Sequence, residues 1–243
     1  MCRHFAYWGP RTTPAALALD DPFALVRQCT AAREMSWGND NLDGWGYVCQ
    51  SGADAPRSYR SELALDVDEN GRNALRHARG DRFLVHVRQK TPGSATDDVN
   101  SAPFSDGGDH YFAHNGFVAD FRAGVREELL AKISPQRAAA IVGDTDSETL
   151  FALVLSRVDE GADPIEATRV VAEVAEIYGG RYNVVLWSPE MIVATRWDNS
   201  LYVRDTDEGR VVSSEPTDDS PWTPVAERSM VILTADALRQ EEL

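Results

Sequence analysis

Apolar positions along the chain recur with two periods, and the switches between them mark the elements. Residues 3–8 (RHFAYW), aromatic-rich and closed by Gly9-Pro10, predict an N-terminal strand. Asp21 as N-cap and Pro22 at the first position predict a short helix over 22–30. A loop dense in Gly, Asn and Asp at 36–46 precedes a strand at 47–50, a weaker strand at 57–60 and a short helix at 70–78. Residues 82–88 (RFLVHVR) alternate strictly, with Phe83, Val85 and Val87 on one face and Leu84, His86 and Arg88 on the other. After a long loop at 89–108, Tyr111-Phe112-Ala113-His114 reads as a strand ending in Asn115-Gly116, ordinarily a two-residue hairpin turn. Helical patterns fill 122–133, 135–142, 147–158 and 164–178. The third opens on Asp144-Thr145-Asp146-Ser147-Glu148, which suits capping and the helix dipole, and buries Leu150, Phe151, Val154 and Leu155. Strands return at 182–187, 191–196, 201–204, 211–214 and 230–233. Strands, then helices, then strands, with no linker or repeat between, predict one α+β domain.

Composition narrows the class. Across 243 residues, 43% hydrophobic and 26% charged side chains are ordinary for a globular protein. A net charge of −15 argues against a nucleic-acid surface. Cys2, Cys29 and Cys49 form no disulfide framework and no Cys/His/carboxylate cluster has metal-ligand spacing, so reduced thiols and no metal or cofactor are expected. With no long apolar run at the N-terminus, neither a signal peptide nor a membrane span is expected, and the expected location is the cytoplasm.

The chemistry starts at Cys2. If Met1 is removed, the α-amine and the thiol belong to one residue, and the amine can take the sulfur's proton directly or through one water. On its own a second-position cysteine is more often a small buried residue at a strand start. Arg88 alone reads as a surface arginine, and Asp146 alone as one cap among several. Taken together, however, Met1-Cys2-Arg3-His4, Asp43-Gly44-Trp45-Gly46, His86-Val87-Arg88 with Thr91 and Gly93, His114-Asn115-Gly116, and Thr145-Asp146-Ser147-Glu148 follow one another in an order that resembles the class II glutamine amidotransferase domain, an N-terminal-nucleophile (Ntn) hydrolase.

The resemblance implies a four-layer αββα sandwich of two mainly antiparallel sheets, formed as one domain over residues 2–243 with Met1 removed. It implies Cys2 as nucleophile through a thioester, with Asn115 (side-chain amide) and Gly116 (backbone N–H) as the oxyanion hole. A γ-glutamyl group carries a free carboxylate and a free ammonium, which Arg88 and Asp146 would meet, beside Thr91. A free thiol (pKa about 8.5) and an α-amine (about 7.7–8.0) are mostly protonated at neutral pH, so the site must lower at least one. His86, His110 and His114 are expected to be structural, since the amine fills the base role.

A narrower resemblance, to the γ-glutamyl-hercynylcysteine sulfoxide hydrolases of ergothioneine biosynthesis, rests on residues 101–107 (SAPFSDG), Thr195-Arg196-Trp197, and Ser214-Glu215-Pro216 with Asp218-Asp219 and Trp222. It implies a small-molecule γ-glutamyl substrate whose leaving group carries a trimethylammonium. Trp37 and Trp45 are the candidate aromatic faces for that cation, with ordinary loop packing as the alternative. The loop at 31–42 departs from the pattern, with Glu34-Met35-Ser36-Trp37 in place of a more basic stretch. The closing strands are taken up by the same domain, so no ammonia acceptor is expected on this chain. Two alternatives stay open, a stand-alone glutaminase subunit feeding a separate synthase and a non-catalytic Ntn-fold binding protein that keeps Met1. A homo-oligomer is left open too.

Overall fold

In β1 (Arg3–Thr12) Phe5 and Tyr7 join one core and Ala6 joins another, so this strand lies between two apolar layers. The computed structural model describes residues 2–35, 38, 40–91 and 93–243. After β1 come α1 (Leu25–Ala31), β2 (Trp45–Gln50), β3 (Arg57–Ser61), α2 (Glu69–His77), β4 (Gly80–Val87), β5 (Phe104–Ser105) and β6 (Tyr111–Val118). Helices α3 (Val125–Leu130), α4 (Pro135–Ala139), α5 (Asp146–Asp159) and α6 (Pro164–Tyr178) fill the middle. The chain closes with β7 (Gly180–Trp187), β8 (Ile192–Arg196), β9 (Tyr202–Thr206), β10 (Gly209–Ser213), β11 (Thr223–Pro224), β12 (Ser229–Leu233) and β13 (Leu238–Glu242).

Among the described residues these strands form two sheets, in the orders β11-β9-β10-β1-β4-β2-β3 and β13-β12-β8-β7-β6-β5. Every pairing between them is antiparallel. Alternation then builds the layers. Phe83 and Val85 of β4 pack with Leu25 and Cys29 of α1 and Leu75 of α2, which cover the outer face of the first sheet. On the second sheet Phe112 stacks on Phe151 of α5 at 5.4 Å, and Val193, Met230 and Ile232 pack with Ile165 of α6. Ala6, Val48 and Leu84 meet Ala113, Val185 and Val231 between the sheets. The result is the expected four-layer α+β sandwich.

Three local expectations change. First, β1 runs on through Gly9-Pro10 to Thr12, with a register shift between Trp8 and Thr12. A bulge tolerates proline's missing N–H, and Gly9 lies against the Gly209 backbone, where a side chain would collide. Second, α1 begins at Leu25 because Asp21 and Phe23 are tied elsewhere: Thr217 Oγ1 donates to the Asp21 carboxylate (2.7 Å) and Phe23 N–H donates to Thr217 O (2.8 Å). Third, Asn115-Gly116 makes no turn, since β6 pairs with β7 straight through both residues. A Cβ at Gly116 would strike the Arg181 carbonyl and His114 Nε2, so close approach within a flat strand, not a turn, is what requires glycine.

Three histidines are buried beside this framework, His4 and His86 between the sheets and His114 against α5. Burial lowers all three, His86 to about 3 and His4 well below its ordinary value; the Asp146 charge opposes the shift at His114. In the unfolded chain they titrate near 6.5. Between that value and about 3 the unfolded state binds more protons, so their contribution is complete above about pH 6.5 and is lost as pH falls. Glu215 and Asp21, both raised by burial, act in the opposite sense, two groups against three. The urea midpoint is therefore expected to drop between pH 7 and pH 5, before Asp106, Asp159 and Asp218, all lowered, begin to protonate. A midpoint flat across that interval overturns the assignment.

Candidate active site

Cys2 sits immediately before β1, which lies between β10 and β4 in the first sheet. Pairing of Arg3 with Val87 carries the chain after β4 past the thiol. There Gln89 N–H donates to Cys2 Sγ at 3.4 Å, and the thiol faces Gln89 O at 3.5 Å. Burial pushes the Cys2 thiol up, while the Gln89 amide and the Arg88 charge pull it down. Arg3, wholly buried, donates through Nη1 to Cys2 O at 3.1 Å and fixes the main chain of the same residue.

A cavity of about 410 Å³ opens onto this sulfur, and Cys2, Arg88, Thr91, Gly116 and Asp146 all line it. Residues scattered over the first three-fifths of the sequence thus converge on one space. Arg88 is buried and held by three acceptors: Nη1 donates to Asp43 O (3.3 Å), and Nη2 to Ser94 Oγ (3.2 Å) and Ala95 O (3.0 Å). These bonds fix the position of the charge, and the Nε–H and the second Nη1 hydrogen complete its five donors.

Asp146 is the first residue of α5, after Thr145, whose side chain caps Glu148 N. Its Oδ2 accepts from Val118 N (2.9 Å) and its Oδ1 from Ser147 Oγ (3.1 Å). The helix N-terminus adds a favourable field for the carboxylate. His114 Nε2 lies 2.8 Å from Arg181 O, which requires a proton on that nitrogen, and Nδ1 faces Ser147 Oγ at 3.1 Å. Glu148 braces the approach to the helix by accepting from Val142 N (2.9 Å) and Gly143 N (2.7 Å). Each residue of Thr145-Asp146-Ser147-Glu148 therefore has a different task.

Asn115 is wholly buried one residue from the cavity wall. Its carbonyl accepts from Asn199 Nδ2 (2.9 Å), and its amide meets Ser214 Oγ at 3.4 Å. Trp45 does not reach the cavity. It is wholly buried in the core under α1 and α2, stacked with Tyr47 at 5.9 Å, and donates Nε1–H to Asp68 Oδ2 at 3.0 Å. Its place in β2 puts it on the outer face of the first sheet, so core packing is its role. Trp37 lies outside the described residues. The aromatic walls of the cavity are instead Phe104, Phe117 and Phe121. Sequence reasoning also missed Gln89 and Ser94, although both stand within six residues of Arg88. Among the described residues no group of three or more His, Cys, Asp or Glu side chains is placed to hold a metal ion, and no helix is long and apolar enough to cross a membrane.

Two antiparallel sheets between helical layers, with a cysteine leading into a central strand, define the class, and the sequence agrees. Residues 16–207 match the family described as class-II glutamine amidotransferases, and the chain belongs to this Ntn-hydrolase family. The chain is 34% identical over 233 residues to the γ-glutamyl-hercynylcysteine sulfoxide hydrolase of Mycolicibacterium smegmatis, covering 95% of each chain. To the enzyme of the same name in Mycobacterium tuberculosis (strain H37Rv) it is 32% identical, over 96% of this chain and 93% of that one. A glutamine aminotransferase class-II domain protein from Silicibacter pomeroyi superimposes with a TM-score of 0.68 at 25% identity, covering 99% of both chains. Glutamine phosphoribosylpyrophosphate amidotransferase from Bacillus subtilis gives 0.72 at 18% identity, over 99% of this chain and 49% of that one, and shares the fold.

Proposed function

We propose that the protein is an N-terminal-cysteine amidohydrolase that cleaves a γ-glutamyl amide through a thioester, with γ-glutamyl-hercynylcysteine sulfoxide as its substrate. The observation that carries this reading is the single cavity shared by the Cys2 thiol, one fixed cation and one fixed anion. Similarity to two hydrolases of that name over nearly the whole chain supports the substrate. The active unit is one cytoplasmic domain, residues 2–243, acting on a small molecule with no nucleic-acid partner.

Removal of Met1 frees the Cys2 amine. The substrate carboxylate is held by Arg88 beside Thr91, and its ammonium by Asp146, which brings the γ-carbonyl to the thiol. As sulfur attacks, its proton passes to the α-amine and the carbonyl oxygen becomes an oxyanion, met by the Asn115 amide and the Gly116 N–H. Collapse expels the leaving amine, which takes the proton from the α-ammonium. Water, deprotonated by the same amine, then cleaves the thioester to glutamate and restores the thiol. Phe104, Phe117 and Phe121 offer the faces for a quaternary ammonium on the leaving group, the place first assigned to Trp37 and Trp45.

The decisive measurement is kcat/KM for three compounds: the sulfoxide conjugate, free glutamine, and the conjugate N-acetylated on its glutamyl amine. The conjugate is expected to exceed glutamine by at least about tenfold, in line with roughly 0.5–2 kcal/mol per cation–π contact. Acetylation is expected to cost about 10- to 100-fold, the range of a charge-assisted hydrogen bond at roughly 1.5–3 kcal/mol. Equal turnover of glutamine and conjugate transfers the assignment to a glutaminase subunit. Equal turnover of free and acetylated conjugate removes Asp146 from the ammonium pocket.

A further inference from the structure

Ser214-Glu215-Pro216 follows β10 directly, and nothing in the reaction above uses it. Ser214 is wholly buried where the first sheet meets the second. Its main chain continues the β1–β10 ladder, with Ser214 N–H donating to His4 O at 2.9 Å. Its Oγ accepts from His4 N at 3.0 Å, two residues after Cys2. The same oxygen lies 3.4 Å from Asn115 Nδ2 on the opposite sheet. Ser200 Oγ donates to Ser214 O at 2.7 Å, so the residue is clamped from a third side. One side chain thus joins the strand that begins at the candidate nucleophile to the strand that carries the candidate oxyanion amide.

The donors and acceptors in this link do not balance as drawn. Ser214 Oγ is approached by two N–H donors, while Asn115 Oδ1 is buried without a donor among the described residues. An amide's oxygen and nitrogen have nearly the same shape, and their assignment follows from the network they join. With the two exchanged, Ser214 still accepts from His4 N and now donates its hydroxyl hydrogen to Asn115 Oδ1. Both buried acceptors are then satisfied, and the amide N–H points away from Ser214. A buried donor waiting for an oxygen is what an oxyanion hole supplies.

We propose that Ser214 is the positioning residue that orients the Asn115 amide, its hydroxyl holding Oδ1 so that Nδ2 faces the oxyanion. The assignment rests on the oxyanion role given to Asn115 under the proposed function. Glu215 extends the brace: its Oε2 accepts from Arg33 N (2.9 Å) and Glu34 N (2.6 Å), tying the loop after α1 to the same segment.

The test is a double-mutant cycle on Ser214→Ala and Asn115→Ala with the best γ-glutamyl substrate. Asn115→Ala is expected to lower kcat by about 10²–10³. Ser214→Ala is expected to lower kcat by about 10- to 100-fold with KM within about twofold, and the double variant to be no slower than Asn115→Ala within about threefold. Ser214→Cys, close in shape but a weak donor, serves if the alanine variant does not fold, and is read the same way. If Asn115→Ala is slow but the Ser214 variant keeps full kcat, or if the two losses multiply, Ser214 does not act through the amide. If Asn115→Ala leaves kcat unchanged, the oxyanion assignment itself fails and the positioning role falls with it.

Discussion

Cys2→Ala is expected to abolish hydrolysis while leaving the fold in place, and the active protein is expected to begin at Cys2. Both halves follow from one residue. In the proposed mechanism the thiol supplies the only bond made to the acyl group and the amine on the same Cα supplies proton transfer in both half-reactions, so no other residue can substitute. The fold survives because alanine suits a small buried position and because, among the described residues, the sulfur's hydrogen bonds are two long ones to Gln89. Since burial raises the thiol, the resting sulfur at neutral pH is protonated, and attack depends on a neutral amine. Activity is therefore expected to fall as pH drops through the ordinary amine range of about 7.7–8.0. Intact mass and quenched turnover check the prediction together: the active form lacks Met1, and a γ-glutamyl adduct appears on the N-terminal peptide. Active protein that retains Met1 sinks it.

Asn115→Ala is expected to reduce kcat by about 10²–10³, or roughly 2.7–4 kcal/mol of transition-state stabilisation, with little change in KM. The split between the two constants matters more than the size. Asn115 is wholly buried, and in its proposed role the amide is aimed at the position of the oxyanion, not at that of the ground-state carbonyl oxygen. A buried donor beside a developing negative charge acts in a medium that screens weakly, which is where the large effect arises. Gly116→Ala is a poor companion variant, because its Cβ would collide with the Arg181 carbonyl and report packing instead of chemistry. A rise in KM at constant kcat in Asn115→Ala makes the residue a ground-state binder.

Much of this site could be read from the sequence because its parts are local. Cys2, Arg88, Asn115-Gly116 and Asp146 each sit at the beginning or end of an element or beside one, where short patterns are informative. The strand at 82–88 was legible because both of its faces are buried in different cores, and its alternation is complete. Where the reading failed, a tertiary contact outweighed a local signal. Asp21-Pro22 has the chemistry of a helix start, but Thr217 takes the aspartate from the far end of the chain. Trp45 lies in a loop-like stretch of glycines and aspartates, yet Asp68 and two tyrosines draw it into the core. Strand β13 (LRQEE) went unseen because it is a polar edge strand, held by main-chain pairing to β12 and carrying no apolar period. The link from Ser214 to Asn115 spans almost a hundred residues and depends on sheet stacking, which no local pattern encodes.

The position of β1 has a consequence for the order of events during synthesis. Strand β1 is flanked in its sheet by β4 and β10, and β10 is translated long after β1, with β2 to β9 and every helix between them. Closing so long a loop costs chain entropy before any pairing compensates it. A nascent chain that stops short of Ser214 already carries Cys2, but lacks the strand that borders β1 and the hydroxyl that meets the Asn115 amide. If Cys2, Asn115 and Ser214 act as proposed, competence waits for the β10 segment: a shorter copy carries the thiol without the brace on the amide.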